Sequence, residues 1–418
     1  MSLETLGDTA RDAIGSACAD VRDAEEADAV DGVDPGLVAR PSDTAQVSEV
    51  LRAAAAHHLT VVPRGRGTKM SWGTAPESAN VLLDVSGLDQ VLDHQAGDLI
   101  VEAQAGAPLA AVQSVVAEAG QRLTLDETVP GASIGGTIAA NTSGPRRVAI
   151  GNARDLLIGI TVVRADGVVA KSGGRVVKNV AGYDLGKLMI GSLGTLAVVV
   201  EAIFRLHPLP KAHQWVTVSV DDPAAAQRHV QSVLHAQAVP AAIEVDWFDG
   251  KGSVSVLLEG RDEAVSARAT TVRGLLGGSS TESVEAPAGG ATYPWDLAAT
   301  GDDRSTAIKL TFALSGLSGV LAAATQAGVS LRGSAGSGVA YAAIPPGTPV
   351  RTVCTAVDRL RRACSEHRGN VVVVDAPAEV KEVVDVWGPI PAIDLMRRVK
   401  DQFDPDHRLS PGRFVGGI

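Results

Sequence analysis

Cysteine is scarce in this 418-residue chain: Cys18, Cys354 and Cys364 are its three, and no two form a CxxC pair. That excludes a disulfide framework, and equally a Cys-ligated zinc or iron–sulfur centre built from this chain alone. The three read as packing residues. Positive charge is also short. Lys and Arg number 37 against 48 Asp and Glu, a formal charge of −11, so nothing recommends a nucleic-acid surface. No stretch reaches the roughly 18 apolar residues of a membrane span. The first 30 residues are acidic and Ala-rich, without an apolar run flanked by Lys or Arg. The expectation is a cytoplasmic protein with no transmembrane segment. Both standard nucleotide signatures are missing too. There is no GxGxxG, and Gly182-Tyr-Asp-Leu-Gly186-Lys187 is one residue short of a P-loop and is followed by Leu188 instead of Ser or Thr.

What is present is an ordinary globular composition, 45% apolar, with a length that suggests two or three domains. Residues 1–38 are polar and acidic and read as a lead-in. Ser42 or Asp43 can cap a helix through VSEVLRAAAAHH, and TVVP (60–63) reads as a short strand that stops at its proline. NVLLDV (80–85) and DLIVEA (98–103) alternate like strands, and PLAAVQSVVAEAG (108–120) has helical spacing between Pro and Gly. ITVVRADGVVAKSG is a hairpin turning at Asp166-Gly167. Beyond LHPLP (206–210) the order β-α-β-β-α occurs twice, interrupted by the low-complexity stretch EAPAGGAT (285–292). That order predicts a second domain made of two split β-α-β units sharing one sheet. PAIDLMRRVKDQFDP then reads as an amphipathic helix ending before Pro405, with MRRVK (396–400) as a solvated face.

Glycine is concentrated where chemistry is expected. Thirteen glycines fall between Gly131 and Gly194, 64 residues that also carry strand and helix patterns, about twice the whole-chain rate of 45 in 418. Backbone of that kind turns sharply or lets something bulky come close. PRGRGTK has the makings of an anion nest: amides freed by Gly65 and Gly67, with Arg64, Arg66, Thr68 and Lys69 as added donors. A second cradle is PGASIGGTIAANTSG (130–144), in which Gly131, Gly135 and Gly136 let the loop wrap a ligand and TIAAN can begin a helix.

These loops, with GGRVVKNVAGYDLGKLMIGSLGTLAVVVEAIFRLHPLP (173–210) and the tail FDPDHRLSPGR, carry a family resemblance. The chain resembles FAD-binding subunits of bacterial glycolate oxidase, within the vanillyl-alcohol oxidase and p-cresol methylhydroxylase (PCMH) type of flavoproteins. The resemblance is strong over about residues 39–210, good in the last 30 residues, and only in outline between. It implies an α+β fold. A PCMH-type FAD-binding domain (39–210) would consist of two α+β subdomains (about 39–95 and 96–210). An α+β cap with a mainly antiparallel sheet (211–385) would follow, and then a C-terminal segment (386–418) that returns to the FAD domain.

Residue by residue, the resemblance implies that Arg64, Gly65, Arg66, Gly67, Thr68 and Lys69 bind the pyrophosphate. Gly131, Ala132, Ser133, Gly135, Gly136, Thr137 and Asn141 would line the ribityl and ring side, with Asp155 and Gly194 near the rest of the cofactor. SPGR matches the family's Asn-Pro-Gly-Arg ending with Ser410 in place of Asn, which makes Arg413 a cofactor or closure contact. Lys178 and Tyr183 are the candidate catalytic residues, because a cation or hydroxyl near the flavin N1 stabilises the anionic reduced ring.

Departures refine the expectation. Covalent relatives carry His where Thr68 stands, so FAD should be non-covalent. Val177 and Ala181 replace the Arg and Thr that, in related D-2-hydroxy-acid dehydrogenases, meet the substrate carboxylate. The metal site of those relatives also has no counterpart: from Ser219 to Pro345 the sequence offers only His229 and His235, which read as solvated helix residues. The implied activity is FAD-dependent oxidation of a small 2-hydroxy acid such as glycolate, in a complex with a second flavoprotein subunit and an iron–sulfur subunit. The rival readings are a non-catalytic, flavin-loaded assembly subunit and a self-sufficient alcohol or sugar-lactone oxidase.

Overall fold

The structure is a computed structural model that describes residues 7–175, 184–287, 289–290 and 292–418. The chain forms two compact units. The first takes the chain up to Thr142, Asn152–Leu209 and Ile390–Ile418; the second takes Ser143–Gly151 and Pro210–Pro389. Among the described residues no helix is long and apolar enough to cross a membrane.

The first unit holds two main sheets. One has four strands in the order Val21–Asp23, Leu37–Ala39, Val81–Asp84, Val61–Arg64, antiparallel in its first pair and parallel thereafter. Its first two strands come from the stretch expected to be a lead-in, and the helix Asp8–Ala17 adds the fully buried Ile14 to the same core. That segment is therefore part of the unit's framework. The other sheet is antiparallel, in the order Val91–Gln95, Ile100–Gln104, Val198–Arg205, Leu157–Val163, Val169–Gly173. Its last hairpin turns where the sequence indicated, with Gly167 at φ +77°. The helix Thr44–Ala56 starts at Asp43, whose carboxylate accepts the Gln46 amide at 2.8 Å, and it buries Val47, Val50, Leu51 and Ala54. One apolar cluster joins this helix to both sheets, through Val61, Val81 and Leu83 on one side and Val163, Val198 and Val200 on the other.

The C-terminal segment is threaded into this framework. The Val61 amide donates to the Arg408 carbonyl and the Ser410 amide to the Val61 carbonyl, at 2.8 and 2.9 Å, so the tail extends the first sheet at the strand that leads into the glycine loop. The helix Ile393–Phe403 is amphipathic as predicted, but its last residue of the MRRVK stretch is not solvated. Lys400 is fully buried, and its ammonium donates to the Thr195 carbonyl (2.7 Å), the Asp404 carboxylate (2.7 Å) and the Leu409 carbonyl (3.0 Å). All three of its protons are thereby used. Asp404, equally buried, also accepts the Leu409 amide at 2.7 Å.

The second unit is an eight-stranded antiparallel sheet in the order Thr281–Ser283, Ala212–Val220, Lys251–Gly260, Ala242–Phe248, Ser330–Ser334, Val339–Ile344, Thr306–Thr311, Val371–Asp375. The two β-α-β-β-α repeats meet through the pairing of Ala242–Phe248 with Ser330–Ser334. Alternate strand residues such as Val216, Val254, Val245, Leu331 and Ile308 pack with helices Pro223–His235, Asp262–Leu276, Leu317–Ala327 and Val350–Glu366 in one core. The residues between them, including Thr217, Ser255, Asp246, Arg332, Tyr341 and Lys309, fall on the opposite, polar face. Cys18 and Cys364 are buried and Cys354 is half-buried, all three as free thiols. Burial pushes the Cys364 thiol up to about 12, consistent with a packing role.

Truncating the buried ammonium should be costly, because it strands the Asp404 carboxylate. Lys400→Met is expected to lower unfolding free energy by about 3–5 kcal/mol in urea titration. Pairing it with Asp404→Leu is expected to recover part of that loss; a single variant within about 1 kcal/mol of wild type would show that the pair is not the anchor.

Candidate cofactor site

The strand Val61–Arg64 delivers the glycine loop to one side of a cleft in the first unit. The amides of Arg66, Gly67, Thr68 and Lys69 donate to no acceptor among the described residues, and Gly67 sits at φ +75°. Consecutive free amides of this kind form a ready anion nest. Lys69 points its ammonium at the Thr68 hydroxyl (3.0 Å), and burial lowers it to about 8 against a smaller upward pull from Glu127. A cation held at that cost is waiting for a negative partner.

Arg64 does not join the nest. Its guanidinium turns away to bridge Asp28 and Asp84, each at 2.8 Å. The hydrogen bond from Arg22, with Arg64 adding to it, holds the Asp28 carboxyl well below the usual carboxylate range. The partner that captures Arg64 comes from the supposed lead-in.

The second wall is the short helix Ile134–Ala140. Ser133 caps it by accepting the Gly136 amide at 3.2 Å. Two glycines are fixed by close approach. A Cβ at Gly65 would collide with the Ser133 hydroxyl, and one at Gly135 would lie 2.8 Å from the Ala105 Cβ. At Gly136 a Cβ would meet only its own cap, Ser133 Oγ at 3.0 Å, so the open side of this residue is the cleft.

A third wall follows from the loop 190–194. Gly191 and Leu193 donate to the carbonyls of Ile138 and Ala139 at 3.0 and 2.9 Å, closing the helix end, and Gly191, Leu193 and Gly194 take φ of +80°, +51° and +76°. Val85, Ala197, Val198 and Val199 supply apolar lining.

Of the residues expected from the sequence, Gly65, Arg66, Gly67, Thr68, Lys69, Ser133, Gly135, Gly136, Gly194 and Arg413 line this one cleft. Arg413 does so while donating to the carbonyls of Met70 (2.7 Å) and Trp72 (2.8 Å), a closure contact that ties the tail to the glycine loop. Gly131, Ala132, Thr137 and Asn141 do not line it. Gly131 is exposed, with its amide on Glu127 at 2.9 Å, and Ala132 is buried, with its carbonyl accepting from Leu109. The Thr137 hydroxyl and the Asn141 amide oxygen are buried and meet no hydrogen-bond partner among the described residues. Asp155 is exposed and completes a capping box with Asn152 at the helix Ala153–Leu156, so its role is local. Lys178 and Tyr183 lie outside the described residues. Ala139 and Ala140, inside the stretch 131–141, line it as well; Ser192 and Leu193 are the additions, for which the spacing in GSLGT, with glycines at 191 and 194, is the available signal. Among the described residues no group of three or more His, Cys, Asp or Glu side chains is placed to hold a metal ion.

Comparison with known proteins falls on the elements that build the cleft. Residues 35–173 match the FAD binding domain family, and residues 386–414 match the family described as FAD linked oxidases, C-terminal domain. The chain carries the FAD-binding and C-terminal domains of the FAD-linked oxidases. It is 33% identical to the glycolate oxidase subunit GlcD of Bacillus subtilis (strain 168) over 50% of this chain and 45% of that protein. It is likewise 33% identical to the glycolate oxidase subunit GlcE of Escherichia coli (strain K12), over 47% of this chain and 54% of that one. The matches thus span about half the length of these relatives. An FAD-linked oxidoreductase of Mycobacterium tuberculosis (strain ATCC 25618 / H37Rv) is 27% identical over 91% of both chains. Among solved structures, a chitooligosaccharide oxidase superposes with TM-score 0.69 at 16% identity, covering 96% of this chain and 98% of that one. An alkyldihydroxyacetonephosphate synthase superposes with TM-score 0.66 at 16% identity, covering 91% of this chain and 78% of the other. These two share the fold. It is the PCMH-type α+β fold, and the matched FAD binding domain makes FAD the cofactor.

The free amides, the glycine approaches and the desolvated Lys69 suit the anionic part of FAD, and two outcomes follow. Gly136→Val should abolish flavin retention while leaving the far-ultraviolet circular dichroism intact; stoichiometric flavin in that variant would remove this cleft from consideration. FAD affinity should be flat up to about pH 8. Above it, affinity should fall by at most about tenfold per pH unit, as Lys69 releases its proton in the free protein but keeps it beside the bound anion. Lys69→Met should flatten that profile in a fluorescence titration.

Proposed function

We propose that this chain is the FAD-binding subunit of a complex that oxidises a small 2-hydroxy acid, glycolate being the first candidate. The observation that carries the reading is the coincidence of the glycine-lined cleft with similarity to both GlcD and GlcE, two subunits of glycolate oxidase. The nest of Arg66–Lys69 and the Ser133 cap would hold the pyrophosphate and ribityl portions. Gly136 and Gly194 leave room for backbone approach, and Arg413 keeps the loop closed from the tail. Bound FAD supplies the hydride acceptor and the onward route for electrons. The alcohol carbon of the substrate loses hydride, its hydroxyl loses a proton, and the product is the 2-oxo acid. Lys178 and Tyr183 stay proposed as the groups beside the flavin. A second flavoprotein subunit and an iron–sulfur subunit are the proposed electron-transfer partners, and a cytoplasmic setting belongs to the same proposal.

One observation favours a second reading. Val177 and Ala181 stand where the resemblance to D-2-hydroxy-acid dehydrogenases calls for Arg and Thr. A chain without that carboxylate pair could carry flavin as an accessory subunit while chemistry proceeds elsewhere in the complex.

Two experiments test these readings. Acid precipitation is expected to release all the FAD, because Thr68 offers no imidazole for a covalent bond; flavin fluorescence co-migrating with the polypeptide on a denaturing gel would contradict this. Stopped-flow mixing of the isolated holoprotein with glycolate is expected to bleach the flavin far more slowly than the reconstituted complex does. Bleaching at the rate of the full complex would make the chain a self-sufficient catalyst and overturn the accessory reading. No bleaching by glycolate, D-lactate or D-2-hydroxyglutarate in the complex would overturn the 2-hydroxy-acid reading.

A further inference from the structure

The four free amides of Arg66, Gly67, Thr68 and Lys69 are held by no hydrogen bond of their own among the described residues, so the form of this loop is set from its flanks. On the far side Arg413 grips the carbonyls of Met70 and Trp72. On the near side stands Arg64, the last residue of the strand Val61–Arg64. Its aliphatic stem lies against the turn of the loop. A Cβ added at Gly67, where φ is +75°, would stand 3.7 Å from the Arg64 Cδ.

The Arg64 guanidinium is held from two sides, one Nη donating to Asp28 Oδ1 and the other to Asp84 Oδ2, each at 2.8 Å. Asp84 is its partner across the parallel ladder, and the second oxygen of Asp84 accepts the Ser86 amide at 2.9 Å, next to the Val85 that lines the cleft. Asp28 comes from elsewhere in the chain. It ends the 3-10 turn Glu26–Asp28, ahead of residues 35–173 that match the FAD binding domain family. Asp28 is buried and shared: Arg22 donates to it at 2.6 and 2.9 Å, and the Glu25 amide at 3.0 Å. Two cations and two carboxylates thus balance in this group. What Arg64 supplies to the nest is therefore geometry. A guanidinium fork that spans two carboxylates has little freedom left, and a lysine ammonium could not span both.

We propose that Asp28 is a positioning residue for the cofactor: by fixing Arg64 it sets the loop 65–69 in the form that receives the pyrophosphate of FAD. The segment ahead of the matched domain then belongs to the cofactor site, although Asp28 itself does not line the cleft. A loop fixed in its binding form spares the ordering cost of association, and a loop released from Arg64 pays it. The inference rests on the reading of this cleft as the FAD site and is independent of the substrate proposed above.

The test is equilibrium titration of the FAD-free full chain with FAD, with the melting temperature of each variant reporting whether it is folded. Asp28→Ala and Arg64→Lys are each expected to weaken FAD binding by about tenfold, the loss of one charge-assisted hydrogen bond. Asp28→Asn keeps one acceptor for Arg64 and should recover part of that loss. Arg22→Gln removes the outer partner of Asp28 but leaves Arg64 held, so its FAD affinity should match the wild type. The double variant of Asp28→Ala with Arg64→Lys should lose no more than either single, because both break the same link. If Asp28→Ala does not fold, Arg64→Lys and Asp28→Asn carry the test. Wild-type or tighter FAD binding by folded Asp28→Ala and Arg64→Lys would overturn the positioning role. So would a loss in Arg22→Gln equal to that in Asp28→Ala, or losses that multiply to about a hundredfold in the double variant. Lys69→Met separates the two readings. FAD binding weakened by Lys69→Met but by neither Asp28→Ala nor Arg64→Lys removes the positioning role and keeps the cleft. FAD binding unmoved by all three removes the cleft itself.

Discussion

The Lys400 ammonium is the point on which the first unit's architecture turns. It sits at zero exposure, is neutralised by Asp404, and spends its two other protons on the carbonyls of Thr195 and Leu409. Thr195 follows the loop that walls the cleft, and Leu409 precedes the tail residue that hydrogen-bonds Val61, where the strand toward the glycine loop begins. One buried charge thus fixes two walls of the cleft and the C-terminal segment together. Desolvation of such a group is expensive, and it lowers the lysine's pKa although Asp404 pulls the other way. A hydrophobic replacement could pack as well, but it could not hold two carbonyls from segments more than 200 positions apart in sequence.

From that anchor the cleft follows by backbone chemistry. Glycine appears where chains approach within contact distance, at Gly65 over Ser133 and at Gly135 over Ala105, and where the loop needs positive φ, at Gly191 and Gly194. The side chains that remain are few: Lys69 as the desolvated cation, Arg413 as the clasp, and Ser133 as the cap. The second unit solves a different problem. Its helices cover one sheet face with a continuous apolar core, and the other face carries the ion pair of Arg332 with Asp246 beside a small buried apolar cluster of Trp215, Ala242 and Leu257.

What the sequence disclosed, and what it withheld, divides along the range of the interactions. Elements set by local periodicity and turn residues were legible: the helix behind Asp43, the hairpin at Gly167, and both β-α-β-β-α repeats with their shared sheet. Glycine loops were legible because each spacing is local. Arg64 misled because its partners, Asp28 and Asp84, are 36 and 20 residues away, and a basic residue beside glycines looks the same whether it faces a ligand or an internal carboxylate. Lys400 misled for the same reason. In MRRVK it is one cation among three, and only the fold-back of the tail makes it internal. Asp155 had a local explanation, the capping box with Asn152, that the family resemblance overshadowed. The first strands were missed because three-residue strands carry almost no period to read.

The central claim is that FAD lies in the cleft formed by residues 65–69, 133–136 and 191–199. Hydrogen exchange of the apo-protein with and without added FAD tests this most directly. The account predicts that protection on binding concentrates in those three segments, with weaker protection in the tail around Arg413. Protection centred instead on the groove lined by Ile160, Lys171, Leu185 and Phe403 would contradict it.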